Sequence, residues 1–154
     1  MIEVVNLKNN PGYFNVFLDH LYEEYKEYFE HKSKDDVAEF YKKLIPKTYI
    51  MLKDKEFIGC YSIHGCFIAD VFIVPKHRSK GLGTVLINDA KKRMFTCVRW
   101  ELYSTLKTVS FYEHLGFVVN AKKDKTKLHM VQYNRQLLIF LASLLIGVLV
   151  FFLF

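Results

Sequence analysis

The sequence lacks internal repeats, flexible linkers and an N-terminal signal peptide, since MIEVVNLKNNPGYF has neither a basic start nor a useful apolar run. In 154 residues without such divisions, one folded domain around one core is expected. Cys-x-x-Cys spacing is also absent. Cys60, Cys66 and Cys97 are odd in number and stand in strand-like contexts, so they read as reduced cytosolic thiols and not as a metal site. The net charge of +6 is modest, and much of the excess sits between Lys122 and Arg135. No RNA-binding or zinc-finger pattern accompanies it, which argues against a nucleic-acid partner. Aromatic residues are plentiful, with 14 Phe and 10 Tyr, so there is ample apolar area to bury and no sign of disorder.

Charge is missing altogether from LLIFLASLLIGVLVFFLF, Leu137 to Phe154. At about 1.5 Å of rise per residue, a helix over this run measures roughly 27 Å, close to the hydrocarbon thickness of a bilayer. Only Ser143 and Gly147 interrupt it, whereas a helix that buries one face shows polar residues on the other. A membrane span is therefore expected. Lys122, Lys123, Lys125, Lys127 and Arg135 precede it and nothing charged follows. Positive-inside reasoning then leaves the preceding domain on the cytoplasmic face, with its basic flank attracted to anionic lipid. The expectation is a tail-anchored chain, with a folded domain over 1–134 and an anchor over 135–154. The Ser143-xxx-Gly147 spacing would let two spans pack, the basis for a homodimer.

Along the chain, IEVVNL reads as a short strand closed by the turn signal Asn9-Asn10-Pro11-Gly12. Phe14, Phe17, Leu18, Leu21, Tyr22, Tyr25 and Phe29 recur at three- and four-residue steps and predict a helix. Ser33 caps a second helix, DDVAEFYKKL, that Pro46 follows. Three strands come next, in TYIMLK, EFIGCYSIHG and CFIADVFIVP, then a helix from Val85 to Phe95 and a strand in CVRWELY. A short helix, VSFYEHLG, stops at Gly116, and FVVNA and KLHMVQY are the last strands. This order describes an α/β or α+β domain with a mixed, mostly antiparallel sheet flanked by helices.

The stretch VFIVPKHRSKGLGTVLINDAKK, Val71 to Lys92, carries the only clustered glycines. A dinucleotide fingerprint would need a third glycine where Leu86 stands, and a P-loop would need Lys then Ser or Thr where Thr84 and Val85 stand. What remains is a strand ending at Pro75, a basic turn, and two glycines opening a helix. Backbone N–H groups at such a turn bind anions, and Lys76, Arg78 and Lys80 supply countercharge. An ordinary solvated connection has the same look.

That stretch resembles the acetyl-CoA motif of the GNAT superfamily of N-acetyltransferases, Arg/Gln-x-x-Gly-x-Gly/Ala after a Val-x-Pro strand end, with Arg78, Gly81 and Gly83 in place. SFYEHLGF, Ser110 to Phe117, resembles the family's second block. Together with the order of elements, the two cover Ile2 to about Tyr133. The resemblance implies acetyl-CoA as co-substrate. Ile73 and Val74 would pair with its pantetheine arm, and the turn Arg78, Ser79, Lys80, Gly81, Leu82, Gly83 and Thr84 would hold its pyrophosphate.

An amine acceptor would attack the thioester directly, so one group must take a proton from the amine and another deliver one to the thiolate. Tyr112 matches the family's usual thiolate acid. For the base, IADVFIVP resembles the corresponding strand of spermidine/spermine acetyltransferases. Asp70 matches the Asp of their Glu-Asp pair, whereas Ala69 stands where the Glu would be; Glu101 is the other candidate. His64 and His77 read as bystanders, His77 facing solvent. Thr105 and Thr108 stand where many members carry Asn and Ala. The acidic first helix, with Asp35 and Asp36, would favour a cationic acceptor, namely a small amine, a lysine or a protein N-terminus. Two readings stay open: a membrane-anchored N-acetyltransferase, or an inactive module of the same fold that binds or scaffolds at a membrane.

Overall fold

The computed structural model describes residues 1–153, with side chains through Leu145. Its strands are β1 (Ile2–Asn6), β2 (Thr48–Lys53), β3 (Glu56–His64), β4 (Phe67–Ile73), β5 (Arg99–Thr105), β6 (Val118–Lys122) and β7 (Lys127–Tyr133). Its helices are α1 (Phe14–Glu24), α2 (Lys34–Lys42), α3 (Leu82–Arg93), α4 (Val109–His114) and α5 (Arg135–Leu153). The expected order holds, and the fold is mixed α/β, its seven strands mostly antiparallel and flanked by helices. The chain forms two compact units, Met1–His64 with Ile68–Ala90, and Gly65–Phe67 with Lys91 onward.

In the first unit the strand order is β1-β2-β3-β4. Phe17, Leu18 and Leu21 of α1 and Val37 and Tyr41 of α2 bury against Ile50, Leu52, Phe57 and Phe72 from the strands. At about 1.5–3 kcal/mol for each large apolar side chain taken from water, this layer holds the two helices in place. The first helix ends at Glu24 and does not continue to Phe29. Tyr25 leaves helical geometry, and one 3-10 turn over Lys26–Tyr28 lets Tyr22 stack on Phe29 at 5.8 Å while its hydroxyl donates to Lys32 O at 3.0 Å. The second opens on the Ser33 cap, where Asp36 N donates to Ser33 Oγ at 3.1 Å and Ser33 N to the Asp36 carboxylate at 3.2 Å.

In the second unit the order is β5-β7-β6, with β7 antiparallel to both neighbours. Leu102 and Ser104 bury on one face of β5, and Arg99, Glu101 and Tyr103 share the other by the two-residue alternation of a strand. The chain leaves α4 through Gly116, at φ +86°, where glycine alone pays no steric penalty. The Phe117 N–H then donates back to Tyr112 O at 3.0 Å.

Two expectations are corrected here. Cys66 and Cys97 are joined in a disulfide, with Cα atoms 5.7 Å apart, and only Cys60 is a free thiol among the described residues. Sequence spacing hid this pair because a turn ahead of β4 and a loop 31 residues on meet only in the fold. Asn134 secures the same loop: its Nδ2 donates to Phe95 O at 2.9 Å and to Cys97 O at 3.2 Å.

The expected membrane span is the second correction. Among the described residues no helix is long and apolar enough to cross a membrane. The side chains of 146–154, including Gly147 of the small-residue pair, lie outside the described residues. Tail anchoring, and with it a membrane location and a cytoplasmic-facing domain, is not upheld.

A disulfide that closes a loop of this length restrains the unfolded chain. Reducing Cys66–Cys97, or replacing Cys97→Ser, is expected to lower the unfolding free energy by about 3–4 kcal/mol. Urea unfolding with and without reductant reads the change, and coincident midpoints would contradict the bond.

Candidate active site

After β4 the chain makes a 3-10 turn over Pro75–His77. Ser79 (φ +58°) and Gly81 (φ +73°) then swing it into α3. The helix starts at Leu82, ahead of the expected Val85, because Val85 N donates to Gly81 O at 3.3 Å and closes the first turn there. The N–H groups of Leu82, Gly83 and Thr84 therefore have no partner further back in the helix, and the positive end of its dipole lies with them. A Cβ at Gly81 would meet nothing within 4 Å, so the turn is open, while its positive φ favours glycine. An open turn rich in N–H donors fits the pyrophosphate of acetyl-CoA.

The basic side chains behave differently from the expected countercharges. Arg78 Nη2 meets Glu24 Oε2 at 2.5 Å and Arg78 Nε donates to Ile73 O at 2.8 Å, so Arg78 braces the turn against α1 and β4. Lys76 pairs with Glu56, and Lys80 Nζ donates to Lys76 O at 3.2 Å. His77 is buried, not solvent-facing, with Nε2 at 3.7 Å from Glu56 Oε1. Several backbone groups of Ile73 and Val74, the residues expected to pair with the pantetheine arm, have partners within the chain. The Ile73 carbonyl accepts from Arg78, while Val74 donates to Ile58 O and accepts from His77 N.

Asp70 lies within β4 at φ +52°, left-handed backbone that a non-glycine residue adopts at a cost of order 1 kcal/mol. Its side chain is held by contacts that the sequence did not announce. Tyr41 Oη, from α2, donates to Asp70 Oδ1 at 2.9 Å. The Cys60 thiol donates to the Asp70 carbonyl at 3.2 Å. Burial raises the carboxyl above its ordinary range, while the Tyr41 bond, the nearby Ser62 hydroxyl and the charge of His64 pull it back. Periodicity marks Tyr41 only as a core position; its hydroxyl has no signature in a helix pattern.

In the second unit, Glu101 is bound by Arg99 Nε and Nη2 at 3.0 and 2.7 Å and lies 2.8 Å from His129 Nε2. These contacts, Arg99 first, hold its carboxyl below the usual range, which makes it a weaker base than an ordinary carboxylate. Tyr112 is buried in α4, edge-on to Phe111 at 5.0 Å and to Phe117 at 6.1 Å. Burial pushes its phenol up to about 12, so it stays protonated and can only donate at neutral pH. Lys91 supports this corner: its Nζ donates to Leu115 O at 3.2 Å and lies over the Phe117 ring at 4.8 Å. Thr108 Oγ1 lies 3.0 Å from Thr105 Oγ1 and 3.1 Å from Ser104 Oγ, a hydroxyl cluster where the family pattern carries Asn and Ala.

The raised carboxyl of Asp70 has a consequence for stability. The native state binds this proton more tightly than the unfolded chain does, so its contribution is complete below the unfolded carboxylate value and is lost as pH rises through the native value. Wild type should therefore lose stability relative to Asp70→Asn as pH rises from about 4 toward 7. Urea midpoints of both proteins across that range measure it, and a pH-independent difference would refute the raised value.

A family model for the acetyltransferase (GNAT) family matches residues 15–117, about two thirds of the chain. No curated protein matches the sequence. Solved structures share the fold. N-acetylglutamate synthase from Neisseria gonorrhoeae, with coenzyme A and N-acetyl-glutamate, aligns over 86% of this chain at TM-score 0.69 and 13% identity. The chain spans only 35% of that enzyme's length. Spermidine N-acetyltransferase from Vibrio cholerae, in complex with CoA and spermine, aligns over 89% of this chain and 98% of its own, at TM-score 0.70 and 21% identity. Aminoglycoside 6'-acetyltransferase type Ii aligns over 87% and 97%, at 0.69 and 19%. The fold, the glycine turn into α3 and the family match agree: the chain belongs to the acetyltransferase (GNAT) family, as an acyltransferase with acetyl-CoA as co-substrate.

Proposed function

We propose that this protein transfers the acetyl group of acetyl-CoA to a primary amine (a small amine, a lysine or a protein N-terminus) by direct attack of the amine. The observation that carries the reading is the open turn into α3, whose Leu82, Gly83 and Thr84 N–H groups are free to bind an anion. Ser79 and Lys80 flank those donors, and Arg78 fixes the turn's shape through Ile73 and Glu24. Acetyl-CoA, when bound, supplies an electrophilic thioester carbonyl and a thiolate leaving group.

The remaining chemistry is proton movement. The acceptor arrives as an ammonium with a pKa near about 10 and must lose a proton before it can attack. Asp70, half-buried and more basic than an ordinary carboxylate, takes that role better than Glu101, which Arg99 holds in its ionised form. Tyr112 donates to the departing sulfur, since its phenol holds its proton at neutral pH. The acidic wall expected to select cationic acceptors is partly engaged within the chain. Glu24 binds Arg78, Asp19 pairs with Lys34, and Asp36 closes the Ser33 capping box.

The test incubates the full chain with acetyl-CoA and a panel of spermidine, a lysine peptide and a peptide with a free N-terminus, and measures thiol release. Release with at least one acceptor is expected; binding of acetyl-CoA without release on any of them would favour a non-catalytic module. Tyr112→Phe should depress kcat by about 10²–10⁴ with little change in acetyl-CoA affinity. An unchanged kcat would remove Tyr112 from the mechanism.

A further inference from the structure

On the face of β5 away from Leu102 and Ser104, Tyr103 stands opposite His129 of β7. The two rings are 5.5 Å apart and tilted by 54°, and Phe67, in the same compact unit, meets Tyr103 at 5.0 Å and 55°. Tyr103 is 42% exposed, so a ring with two aromatic neighbours still opens to solvent. The Lys123 ammonium lies over that ring, 3.9 Å from its centroid. Lys123 follows β6, and β7 runs between β6 and β5, so its side chain crosses a whole strand to arrive there.

The hairpin from which Lys123 departs is fixed. Lys123 N donates to Lys127 O at 2.9 Å, and the neighbouring carboxylate, Asp124, is taken by the turn, accepting from Thr126 N at 2.7 Å and Lys127 N at 2.8 Å. Among the described residues no carboxylate lies within ion-pair distance of Lys123. Its ammonium is held by the negative face of the Tyr103 ring.

The ring beside Tyr103 is fixed as well. His129 Nε2 lies 2.8 Å from Glu101 Oε2, and Asn120 Nδ2 lies 3.2 Å from His129 Nδ1. With the amide as donor on one side and the carboxylate as acceptor on the other, both nitrogens are satisfied by a neutral imidazole with its proton on Nε2. Such a ring adds no cation to compete with an ammonium. Glu101 is bound in turn by Arg99 Nε and Nη2 at 3.0 and 2.7 Å, so its charge is met and the attraction at this face belongs to the rings. Rings favour an alkylammonium, whose charge sits on an apolar stem, over a strongly hydrated metal cation.

We propose that Phe67, Tyr103 and His129 form a binding subsite for an alkylammonium group of the acceptor, and that Lys123 fills it in the free protein as an internal stand-in. The inference rests on the reading of the chain as an amine acetyltransferase and adds the acceptor's class. A group held by ring faces keeps its proton, whereas the attacking amine must lose one. The acceptor therefore carries two amino groups, one that anchors and one that attacks, as in an aliphatic diamine or a lysine with a free α-amine. An incoming acceptor exchanges with Lys123, ammonium for ammonium, and leaves the charge over the ring unchanged.

The experiment follows the Lys123 side-chain methylene next to the ammonium by NMR in the full chain carrying carbon-labelled lysine, assigned by its loss in Lys123→Ala. The ring current of Tyr103 should shift this signal upfield, and n-butylammonium should return it to the position of a free lysine. n-Butanol, its neutral counterpart, and sodium chloride at the same ionic strength should leave it in place. An unmoved signal with n-butylammonium, or equal movement with butanol or salt, would overturn the subsite. In Lys123→Ala, with the competitor gone, n-butylammonium followed at the Tyr103 ring signals should bind about two- to fivefold more tightly. Unchanged affinity there would also overturn it.

Thiol release with acetyl-CoA separates the two layers. Wild type should use diaminobutane in preference to n-butylamine, and Tyr103→Leu should reduce that ratio of kcat/KM values by about two- to fivefold. Displacement of Lys123 without thiol release from any amine would keep the subsite and remove the transfer reading. Thiol release with Lys123 unmoved would remove the subsite alone.

Discussion

The left-handed backbone at Asp70, half-buried within β4, is the constraint on which the first unit's candidate chemistry depends. A regular strand would alternate its side chains between faces and offer no reason for a carboxylate inside. One residue at φ +52° breaks that alternation, and the fold holds it there with two ties: the Cys60 thiol on its carbonyl and Tyr41 on its carboxyl. The tie from Tyr41 joins α2 to Asp70, so the proposed role of Asp70 would depend on the packing of α2 on the sheet. A strained residue is retained where its surroundings over-determine it, and here the reward is a carboxylate of raised basicity.

A few residues on, the same strand passes into the turn that opens α3. Its geometry comes from Gly81 and from Arg78, which joins the Ile73 carbonyl to Glu24 on the first helix. The arginine is conspicuous in the sequence as a positive charge, yet in the fold its charge is met by a carboxylate and its main effect is on shape. In the proposed mode of cofactor binding, the anion would be met by backbone N–H groups and the helix dipole, which cannot be neutralised by a neighbouring side chain. The second unit has a comparable device at smaller scale: Lys91 and Phe117 brace the end of α4, and Tyr112 sits in the resulting apolar pocket as a phenol that keeps its proton.

Most of the architecture was legible from periodicity, because the amphipathic pattern of Phe17, Leu18 and Leu21, the Ser33 cap, and the alternating strands are local signals that tertiary packing reinforces. Boundaries shifted where tertiary contacts outweighed pattern, as when Tyr22 and Phe29 stacked and ended α1 at Glu24. The glycine turn and the Phe-Tyr-Glu block were legible as motifs, and the match to the acetyltransferase family bears out the enzyme class. What the sequence concealed is long-range: the Cys66–Cys97 bond, the burial of His77, the pairing of Arg78 with Glu24, and the hydroxyls around Asp70. The apolar C-terminal run misled in a different way, since hydropathy alone proposed a span that the described helix does not provide.

Binding of the cofactor at the entrance to α3 is the central claim, and backbone amide NMR of the full chain during titration with coenzyme A tests it most directly. Large shifts and slowed hydrogen exchange at the amides of Gly81, Leu82, Gly83 and Thr84, saturating with ligand, are predicted from the free donors of that turn. Saturable binding that leaves those four amides unmoved would place the pyrophosphate elsewhere and contradict the assignment.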